Sequence, residues 1–314
     1  MKTVLITGGS GLVGRRLTQL IKEKGYEVIW LSRDRHVRGE TPRYRWDYRI
    51  GEIDTEAIDR ADIIVHLAGA NVGDRRWSVA RKNTIVNSRV LTAKLLFDTI
   101  KERGKKIEAF ISASAIGYYG NKTTDRIFTE EDILNEPDFL ATTCRQWEEA
   151  AQPFEEILGI RTVIVRTGFV ISKNSEALKK MVIPTKMGLG SPIGSGRQYM
   201  SWIQLNDLCG IYLKAIEDES MRGIYNAVAP EYISNRSFMR RLARTLRRPF
   251  FMPNIPSFVM KLVMGESAGL ILGGSRISSD KVVAAGYDFK YKSTKKALRA
   301  SVDAIKRDLH HRLR

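Results

Sequence analysis

A group of glycines near the start of the chain has the spacing of a phosphate-binding turn. It follows a strand-like run, Thr3–Thr7, and opens a stretch with helical apolar spacing. In such a turn Gly8 permits the tight bend, Gly11 lets the backbone approach a pyrophosphate, and Gly14 lets the helix pack closely on the sheet. The N–H groups and the positive dipole end of that helix attract the phosphates. The residues predicted to bind a dinucleotide here are Gly8, Ser10, Gly11, Leu12, Val13 and Gly14.

The residues after the second strand-like run, Glu27–Leu31, indicate which dinucleotide binds. NAD sites place an Asp or Glu there to hold the ribose 2′-hydroxyl. In this chain Ser32 stands where that acid is expected, and Arg33 follows it. A hydroxyl and a guanidinium suit a 2′-phosphate, which arginine can bind through two parallel hydrogen bonds. Ser32 and Arg33 therefore favour NADP(H), whereas Asp34 would favour NAD(H) if it held the ribose instead.

A further strand-like run, Asp62–Leu67, leads into residues with small side chains. Small residues at the carboxyl end of a strand let the backbone pass close to the adenine and ribose. We therefore assign Leu67, Ala68 and Gly69 to the cofactor site. His66 invites a catalytic interpretation, but a histidine packed within the sheet is the interpretation that we favour.

These residues belong to a regular alternation of strand and helix signals. Other strand-like runs are Ala109–Ser112 and Thr162–Arg166, and amphipathic helical stretches cover Leu12–Lys24, about Ser78–Arg103 and about Asp138–Leu158. Apolar runs separated by helices predict βαβ units around a buried parallel sheet. We expect an α/β fold, namely a Rossmann-type doubly wound parallel sheet with a smaller, mostly helical C-terminal lobe.

The alternation weakens after Gly168, which suggests a division into two parts. We expect residues 1–170, rejoined by about 198–229, to form the nucleotide-binding domain, and residues 171–197 and 230–314 to form the C-terminal lobe. Ligands of open α/β sheets bind at the carboxyl ends of the strands. A small-molecule substrate should therefore lie there, under Asn174–Arg197 and the C-terminal helices. Nothing in the sequence identifies that substrate.

Composition limits the class of protein and its partners. With 43% hydrophobic and 28% charged residues the chain can bury a sizeable core. Its two cysteines form neither a disulfide framework nor a zinc-binding pair, and no apolar run reaches the length of a membrane span. The start of the chain lacks the regions of a signal peptide, so we expect a cytoplasmic protein without a membrane partner. The net charge of +17 could attract nucleic acid, but no nucleic-acid-binding motif accompanies the basic clusters, so we do not favour that partner.

Several short signatures together carry a family resemblance. Phe110–Ser114 looks like a serine motif on a strand, and Tyr199–Asp207 looks like a segment that rejoins the first domain. Finer signatures are Arg76-Trp77, Ser88-Arg89, Trp147-Glu148, Gly188 to Gln198 and Gly265-Glu266. Along essentially its whole length the chain resembles the extended short-chain dehydrogenase/reductases, in the atypical "epimerase family protein" (cell-division-inhibitor-like) branch with a C-terminal domain of unknown function. The resemblance implies an NADP(H)-dependent oxidoreductase or epimerase acting on a small polar substrate, and it implies that Arg89 reaches the cofactor.

The expected catalytic residues depart from that superfamily. Active members combine a Ser or Thr with a Tyr and a Lys four residues apart on one helical face, where the lysine lowers the tyrosine pKa and the tyrosine transfers a proton. Ser114 fits the serine position, but Cys144-x-x-x-Glu148 stands in place of the Tyr and Lys. A carboxylate there would raise a neighbour's pKa rather than lower it. The usual mechanism therefore cannot be carried over unchanged.

Three residues are candidates for the missing acid or base, each with a structural alternative. Cys144 is a catalytic thiol or a small residue that fills the lost tyrosine's place. Glu148 is a general base or the ion-pair partner of Arg145 or Lys179. Tyr118 approaches the substrate or packs in a turn. We expect one of the three to act beside Ser114; the alternative is a non-catalytic NADP(H) sensor or regulatory protein. Whether two copies pair through the long helices as a homodimer stays open.

Overall fold

The computed structural model describes residues 1–33, 41–133 and 137–302, and strands and helices alternate through its first half. The strands, numbered along the chain, are β1 (Thr3–Thr7), β2 (Glu27–Ser32), β3 (Arg43–Asp47), β4 (Glu52–Ile53), β5 (Ile63–His66), β6 (Ala109–Ala115), β7 (Ile127–Phe128), β8 (Arg161–Thr167), β9 (Phe169–Ile171), β10 (Trp202–Gln204), β11 (Gly223–Ala227) and β12 (Arg276–Ile277). The α-helices are α1 (Leu12–Glu23), α2 (Thr55–Arg60), α3 (Val79–Arg103), α4 (Phe139–Glu149), α5 (Gln152–Glu156), α6 (Glu176–Lys186), α7 (Leu205–Glu217), α8 (Asn235–Thr245), α9 (Ser257–Met264), α10 (Gly269–Leu272) and α11 (Asp280–Ala284). Ile116–Tyr119 and Gly265–Ala268 are 3₁₀-helical, and residues 294–302 are helical at the end of the described chain.

An eight-stranded sheet forms the centre, in the order β11-β8-β6-β5-β1-β2-β3-β4. All neighbouring strands in it run parallel apart from β3 and β4, which pair antiparallel. The strand order reverses at β1, because β2, β3 and β4 lie on one side of it and β5, β6, β8 and β11 on the other. This is the doubly wound topology that the sequence predicts, and its switch point is where ligands of such sheets bind.

Helices cover both faces of the sheet and bury two cores. On one face α1 and α7 contribute Leu17, Ile21, Leu208 and Tyr212 to the first core. On the other face the second core contains residues of α2, α3 and α5, among them Phe154 of α5, whose ring stacks on Phe110 at a centroid distance of 3.6 Å. Strand residues alternate between the two cores, as the period of a β-strand requires.

A third core lies beyond the sheet and is built from the second half of the chain. It joins α6, α8 and the helical residues 294–302 around the fully buried side chains of Trp202 and Phe238. Two parallel strands, β9 and β10, lead into this part of the molecule. None of the helices within the described ranges is both long and apolar enough to cross a bilayer.

The predicted helix at Asp138–Leu158 is two helices in the structure. α4 ends at Glu149 and α5 begins at Gln152, with Pro153 in its first turn. Proline fits the first turn of a helix but cannot donate the hydrogen bond that an uninterrupted helix needs there. The missing backbone N–H of Pro153 therefore explains the break between α4 and α5. The prediction of a single helix was wrong in this detail.

Candidate functional site

The glycine turn between β1 and α1 has the tight geometry that a phosphate-binding loop requires. Gly8 has a φ of +70°, and a Cβ at this position would lie 2.9 Å from the Leu67 carbonyl oxygen. A Cβ at Gly14 would lie 2.5 Å from the Gly8 carbonyl oxygen, so α1 can approach the turn only because both residues lack side chains. Gly11 is the N-cap of α1, and no side chain caps the helix. Ser10, Gly11 and Leu12 line the cleft, so the first turn of α1 presents its backbone N–H groups to it, whereas Val13 packs against the first core.

The residues predicted to select the nucleotide lie at the carboxyl end of β2. Ser32 is the last residue of that strand and pairs in register with Arg45 of β3. Arg33 follows it and is exposed. Asp34 lies outside the described residues. Beneath this end the Trp30 ring packs against Gly9 and its Nε1 donates to the Thr18 hydroxyl at 2.9 Å, which fixes β2 against α1.

The carboxyl end of β5 is tied directly to that of β1. The backbone N–H groups of Leu67 and Ala68 both donate to the Thr7 hydroxyl at 3.1 Å. His66 is fully buried and its two ring nitrogens hydrogen-bond to the hydroxyls of Thr7 and Thr92. Burial lowers the pKa of His66 to about 4, so the ring is neutral at physiological pH. This is the environment of a histidine packed within the sheet.

Arg89 projects from α3 to the cleft beside the end of β5. Its guanidinium packs against Gly69, lies over the Trp147 ring at 4.8 Å and donates to the Ile85 and Ala70 carbonyl oxygens. Burial lowers the pKa of Arg89 to about 10, which still leaves it charged at neutral pH. Within the described part of the chain no carboxylate forms an ion pair with Arg89. A buried cation of this kind suits an anionic or oxygen-rich ligand.

Ser114 and Glu148 meet, but away from the cleft wall. The Ser114 hydroxyl donates to Glu148 Oε1 at 2.6 Å, and the Arg166 guanidinium of β8 binds both carboxylate oxygens at 2.9 and 2.8 Å. Arg166 is 1% exposed, so this is a buried bidentate ion pair. The two predicted ion-pair partners of Glu148 were Arg145 and Lys179. In the structure its ion-pair partner is Arg166 instead.

Because strand residues alternate in direction, the side chain of β6 that lines the cleft is Ala115, not Ser114. Ala115 offers no hydroxyl to a substrate. The two tyrosines that follow are also engaged. Tyr118 lies against the Arg166 guanidinium at 3.4 Å from its ring centroid, and the Tyr119 hydroxyl accepts from Arg166 and donates to Asn226. Burial raises the pKa of Tyr119 to about 12.

Of the four residues proposed for catalysis, Cys144 is the one that lines the cleft. It lies beside Gly117, and on α4 it is followed one turn later by Trp147, which also faces the cleft. Burial, reinforced by the Glu148 carboxylate, raises the pKa of the Cys144 thiol to about 12. The sequence analysis named Trp147 only as part of a family signature and did not name Ala115. The i, i+3 spacing of Cys144 and Trp147 was a signal that the two side chains share one face of the helix.

The cleft runs from the glycine turn along the carboxyl edge of the sheet to the C-terminal helices. Its volume is about 1740 Å³, larger than the roughly 300–1,000 Å³ of an ordinary small-molecule pocket. The part of the lining that comes from the second half of the chain mixes apolar side chains, among them Met181, Met239 and Met260, with polar and basic ones, which include Lys173, Lys180, Ser191, Gln198 and Asn235. The space is therefore sufficient for a dinucleotide together with a second ligand.

The fold and the glycine turn define a nucleotide-binding protein of the short-chain dehydrogenase/reductase type, and the family follows from sequence comparison. The chain belongs to the NAD dependent epimerase/dehydratase family, whose model matches residues 4–227. Residues 255–301 match a separate model, Domain of unknown function (DUF1731). Both matches confirm the resemblance inferred from the short signatures.

Several relatives match almost the whole chain. Epimerase family protein ML0860 of Mycobacterium leprae is 35% identical over 94% of both chains, and epimerase family protein SDR39U1 of Bos taurus is 35% identical over 94% of this chain and 98% of its own. The crystal structure of human epimerase family protein SDR39U1 (isoform2) with NADPH superposes with a TM-score of 0.85 at 31% identity, covering 96% of this chain and 99% of that one. A nucleoside-diphosphate sugar epimerase from Corynebacterium glutamicum has a TM-score of 0.77 at 33% identity, covering 96% of this chain and 58% of that one.

Proposed function

We propose that this protein binds NADP(H) in the cleft and acts as an atypical oxidoreductase or epimerase on a small polar substrate. The observation that carries the proposal is the glycine turn at the start of α1, which opens into the same cleft as the buried cation of Arg89. Ser32 and Arg33, at the end of β2, would bind the 2′-phosphate. The relative crystallised with NADPH supports this choice of nucleotide.

The residues around the cleft limit what chemistry the chain itself can contribute. Bound NADP(H) supplies or accepts the hydride of an oxidoreductase or epimerase reaction. Cys144 stays protonated at neutral pH because burial holds its pKa near 12, so it can donate a hydrogen bond to a substrate oxygen but cannot act as a base. Glu148 is held by Arg166 and Ser114 and serves to position α4. Substrate orientation then falls to the polar and basic side chains that stand among apolar ones in the part of the lining beyond the sheet.

Nucleotide titration tests the proposal. We expect NADPH to bind more tightly than NADH, and Arg33→Ala to weaken NADPH binding by about 10- to 100-fold while changing NADH binding little, because it removes a charge-assisted contact to the 2′-phosphate. Nicotinamide fluorescence measures both affinities. Arg222→Ala is the matched control, since Arg222 is exposed and precedes β11 at the opposite edge of the sheet. Equal affinities for the two nucleotides in wild type would contradict the assignment.

A non-catalytic NADP(H) sensor is the second candidate. It is favoured by Ala115, which offers no hydroxyl, and by the high thiol pKa of Cys144. Multiple-turnover NADPH oxidation that depends on an added polar metabolite would eliminate it. Tight NADPH binding without turnover on a broad panel of carbonyl substrates and sugar nucleotides would favour it over the enzyme.

A further inference from the structure

Helix α9 exposes apolar side chains on the face that points away from the cleft. Met260 and Met264, one turn apart, line the cleft. Phe258 and Leu262 lie on the opposite side of the helix and are 69% and 74% exposed, and Val263 is exposed beside them. No residue of α9 is buried. A helix that is apolar on both sides is normally buried, so the outer face of α9 suits an apolar environment that the described part of the chain does not supply.

Arginines without an acidic partner lie along the preceding helix. Arg236, Arg240 and Arg244 follow one another at intervals of one turn on α8 and are exposed. Among the residues that the structure describes, no carboxylate pairs with any of these three, whereas Arg241 of the same helix pairs with Glu231. This arginine stripe, Arg236, Arg240 and Arg244, therefore presents uncompensated positive charge to its surroundings.

The segment between α8 and α9 joins the arginine stripe to the apolar face. The Arg236 guanidinium donates to Asn254 Oδ1 at 2.7 Å, and Asn254 lies shortly before the start of α9. The Arg240 guanidinium lies over the Phe250 ring at 5.9 Å from its centroid. Phe251, the next residue, is 74% exposed. The stripe and exposed apolar side chains therefore form one continuous part of the surface.

Positive charge also borders the outer face of α9 within the helix and at its other end. Lys261 is exposed beside Leu262, whose carbonyl oxygen accepts a hydrogen bond from the Arg76 guanidinium. Glu266, which follows the helix, is already paired with Lys82. The apolar face is thus surrounded by cations rather than by charges of both signs.

Exposed apolar side chains bordered by cations fit the surface of an anionic phospholipid membrane. The apolar side chains enter the boundary between headgroups and acyl chains, and the cations bind the anionic headgroups. A second copy of the chain fits less well, because a two-fold interface would bring the arginine stripes of both copies together. A nucleic acid would bind the arginines but leave Leu262 and Val263 in water.

We propose that the outer face of α9 and the arginine stripe of α8 dock this protein on an anionic phospholipid membrane. The expectation of no membrane partner rested on the lack of a span and of a signal peptide, and a helix that lies on the membrane surface needs neither. Because the inner face of α9 lines the cleft, docking brings the cleft close to the lipid. Docking does not depend on the bound nucleotide, so it can be tested separately.

Co-sedimentation of the full chain with vesicles tests the proposal. The vesicles contain phosphatidylcholine alone or phosphatidylcholine mixed with phosphatidylglycerol, and the bound fraction is measured against lipid concentration. Leu262→Ser removes an exposed apolar side chain from α9. Ile50→Ser is the matched control, because Ile50 is 68% exposed in the turn between β3 and β4. Thermal unfolding followed by circular dichroism checks that every variant is folded.

A second pair of variants tests the charge. Arg236→Gln/Arg240→Gln removes two cations from the arginine stripe. Lys94→Gln/Lys101→Gln removes two cations from exposed positions on α3 and is the matched control, because it changes the net charge by the same amount. The comparison separates attraction to this surface from the general attraction of a chain with a net charge of +17.

We expect the wild-type protein to bind vesicles that contain phosphatidylglycerol and not those of phosphatidylcholine alone. Leu262→Ser should weaken binding by about tenfold and the double arginine variant by about 30-fold, with both controls within about twofold of wild type. Equal losses in test and control variants, or no binding to either kind of vesicle, would overturn the proposal. Without vesicle binding, a dimer that Leu262→Ser dissociates would assign the face to a second copy, and arginine-dependent binding of a DNA duplex would assign it to nucleic acid.

Discussion

Cys144 illustrates how a reactive residue type can be placed in unreactive surroundings. It reaches the cleft wall, but burial and the Glu148 carboxylate raise its thiol pKa to about 12. An ordinary thiol has a pKa of about 8.5, so the thiolate is rarer here by about three orders of magnitude at neutral pH. Since the thiolate is the nucleophile and the base, Cys144 can fill neither role at that pH.

We expect the native protein to resist alkylation by iodoacetamide at pH 7.5. Cys209 shares this protection, because burial also raises its pKa to about 12. The rate should keep rising with pH and reach no plateau below about pH 10, since each raised pKa keeps the thiol protonated until the pH approaches it. Intact-mass spectrometry after timed exposure measures the labelling, with the guanidinium-unfolded chain, which should take two labels, as the control. Rapid single labelling of native Cys144 at pH 7.5 would contradict this account.

Ser114 and Ala115 show where reading single residues from the sequence reaches its limit. The sequence identified the strand and its serine. Because consecutive strand residues point to opposite faces, a shift of one position decides which side chain faces the cleft and which faces away from it. Which face meets the cleft depends on α4. Its Glu148, 34 positions along the chain from Ser114, accepts the hydrogen bond of the Ser114 hydroxyl. A signal for that pairing was present, because an arginine at the end of an apolar strand, Arg166, is rarely buried without an acidic partner.

At the scale of elements, the Glu148–Arg166 ion pair joins α4 to β8. Removing one member of a buried pair leaves the other charge uncompensated, which costs about 3–5 kcal/mol. We therefore expect Arg166→Met to lower the free energy of unfolding by about that amount, measured by urea denaturation at neutral pH. Arg222→Ala, which breaks an exposed ion pair with Glu155, should cost less than about 1 kcal/mol. Comparable losses for the two variants would mean that the buried pair does not hold α4 in place.

Element prediction succeeded where apolar periodicity was strong and failed where a strand buries few side chains. β1, α1, α3 and β8 were predicted to within a few residues because each buries a continuous apolar run or stripe. β3, which pairs with β2 and with the two-residue edge strand β4, was missed, although Tyr44 and Trp46 alternate with exposed or half-buried polar residues in the pattern of a half-buried strand. Five residues with only two buried side chains give a weak pattern, and tertiary pairing with β2 decides the outcome.

For the whole molecule, the sequence could predict the sheet but not how the last part of the chain is fixed to it. The sheet follows from local runs and a glycine turn. The third core instead joins residues of α6, α8 and positions 294–302, which together span more than a hundred positions of the chain. Its attachment depends on single polar side chains, which carry no periodic signal.

Asp207 is one such attachment. It is 2% exposed on α7, and its carboxylate accepts hydrogen bonds from the backbone N–H groups of Lys290 and Tyr291, each at 2.9 Å. α7 packs against α1, so the carboxylate links the end of the described chain to the dinucleotide-binding half. Asp207→Asn keeps the volume but turns one acceptor into a donor, which leaves a buried N–H unsatisfied.

We expect Asp207→Asn to lower the free energy of unfolding by about 1–3 kcal/mol. Hydrogen exchange followed by mass spectrometry should show faster exchange in peptides that contain Lys290 and Tyr291, and unchanged exchange in those that contain β1. Asp59→Asn, at an exposed ion pair with Arg103, is the control and should leave both regions unchanged. Faster exchange across β1 as well would mean that the two halves unfold as one unit, whereas unchanged exchange at Lys290 would show that apolar packing alone holds the segment. Tyr291 also lines the cleft. Faster exchange limited to the peptides that contain Lys290 and Tyr291 would therefore show that the Asp207 hydrogen bonds help to fix the lining of the cleft.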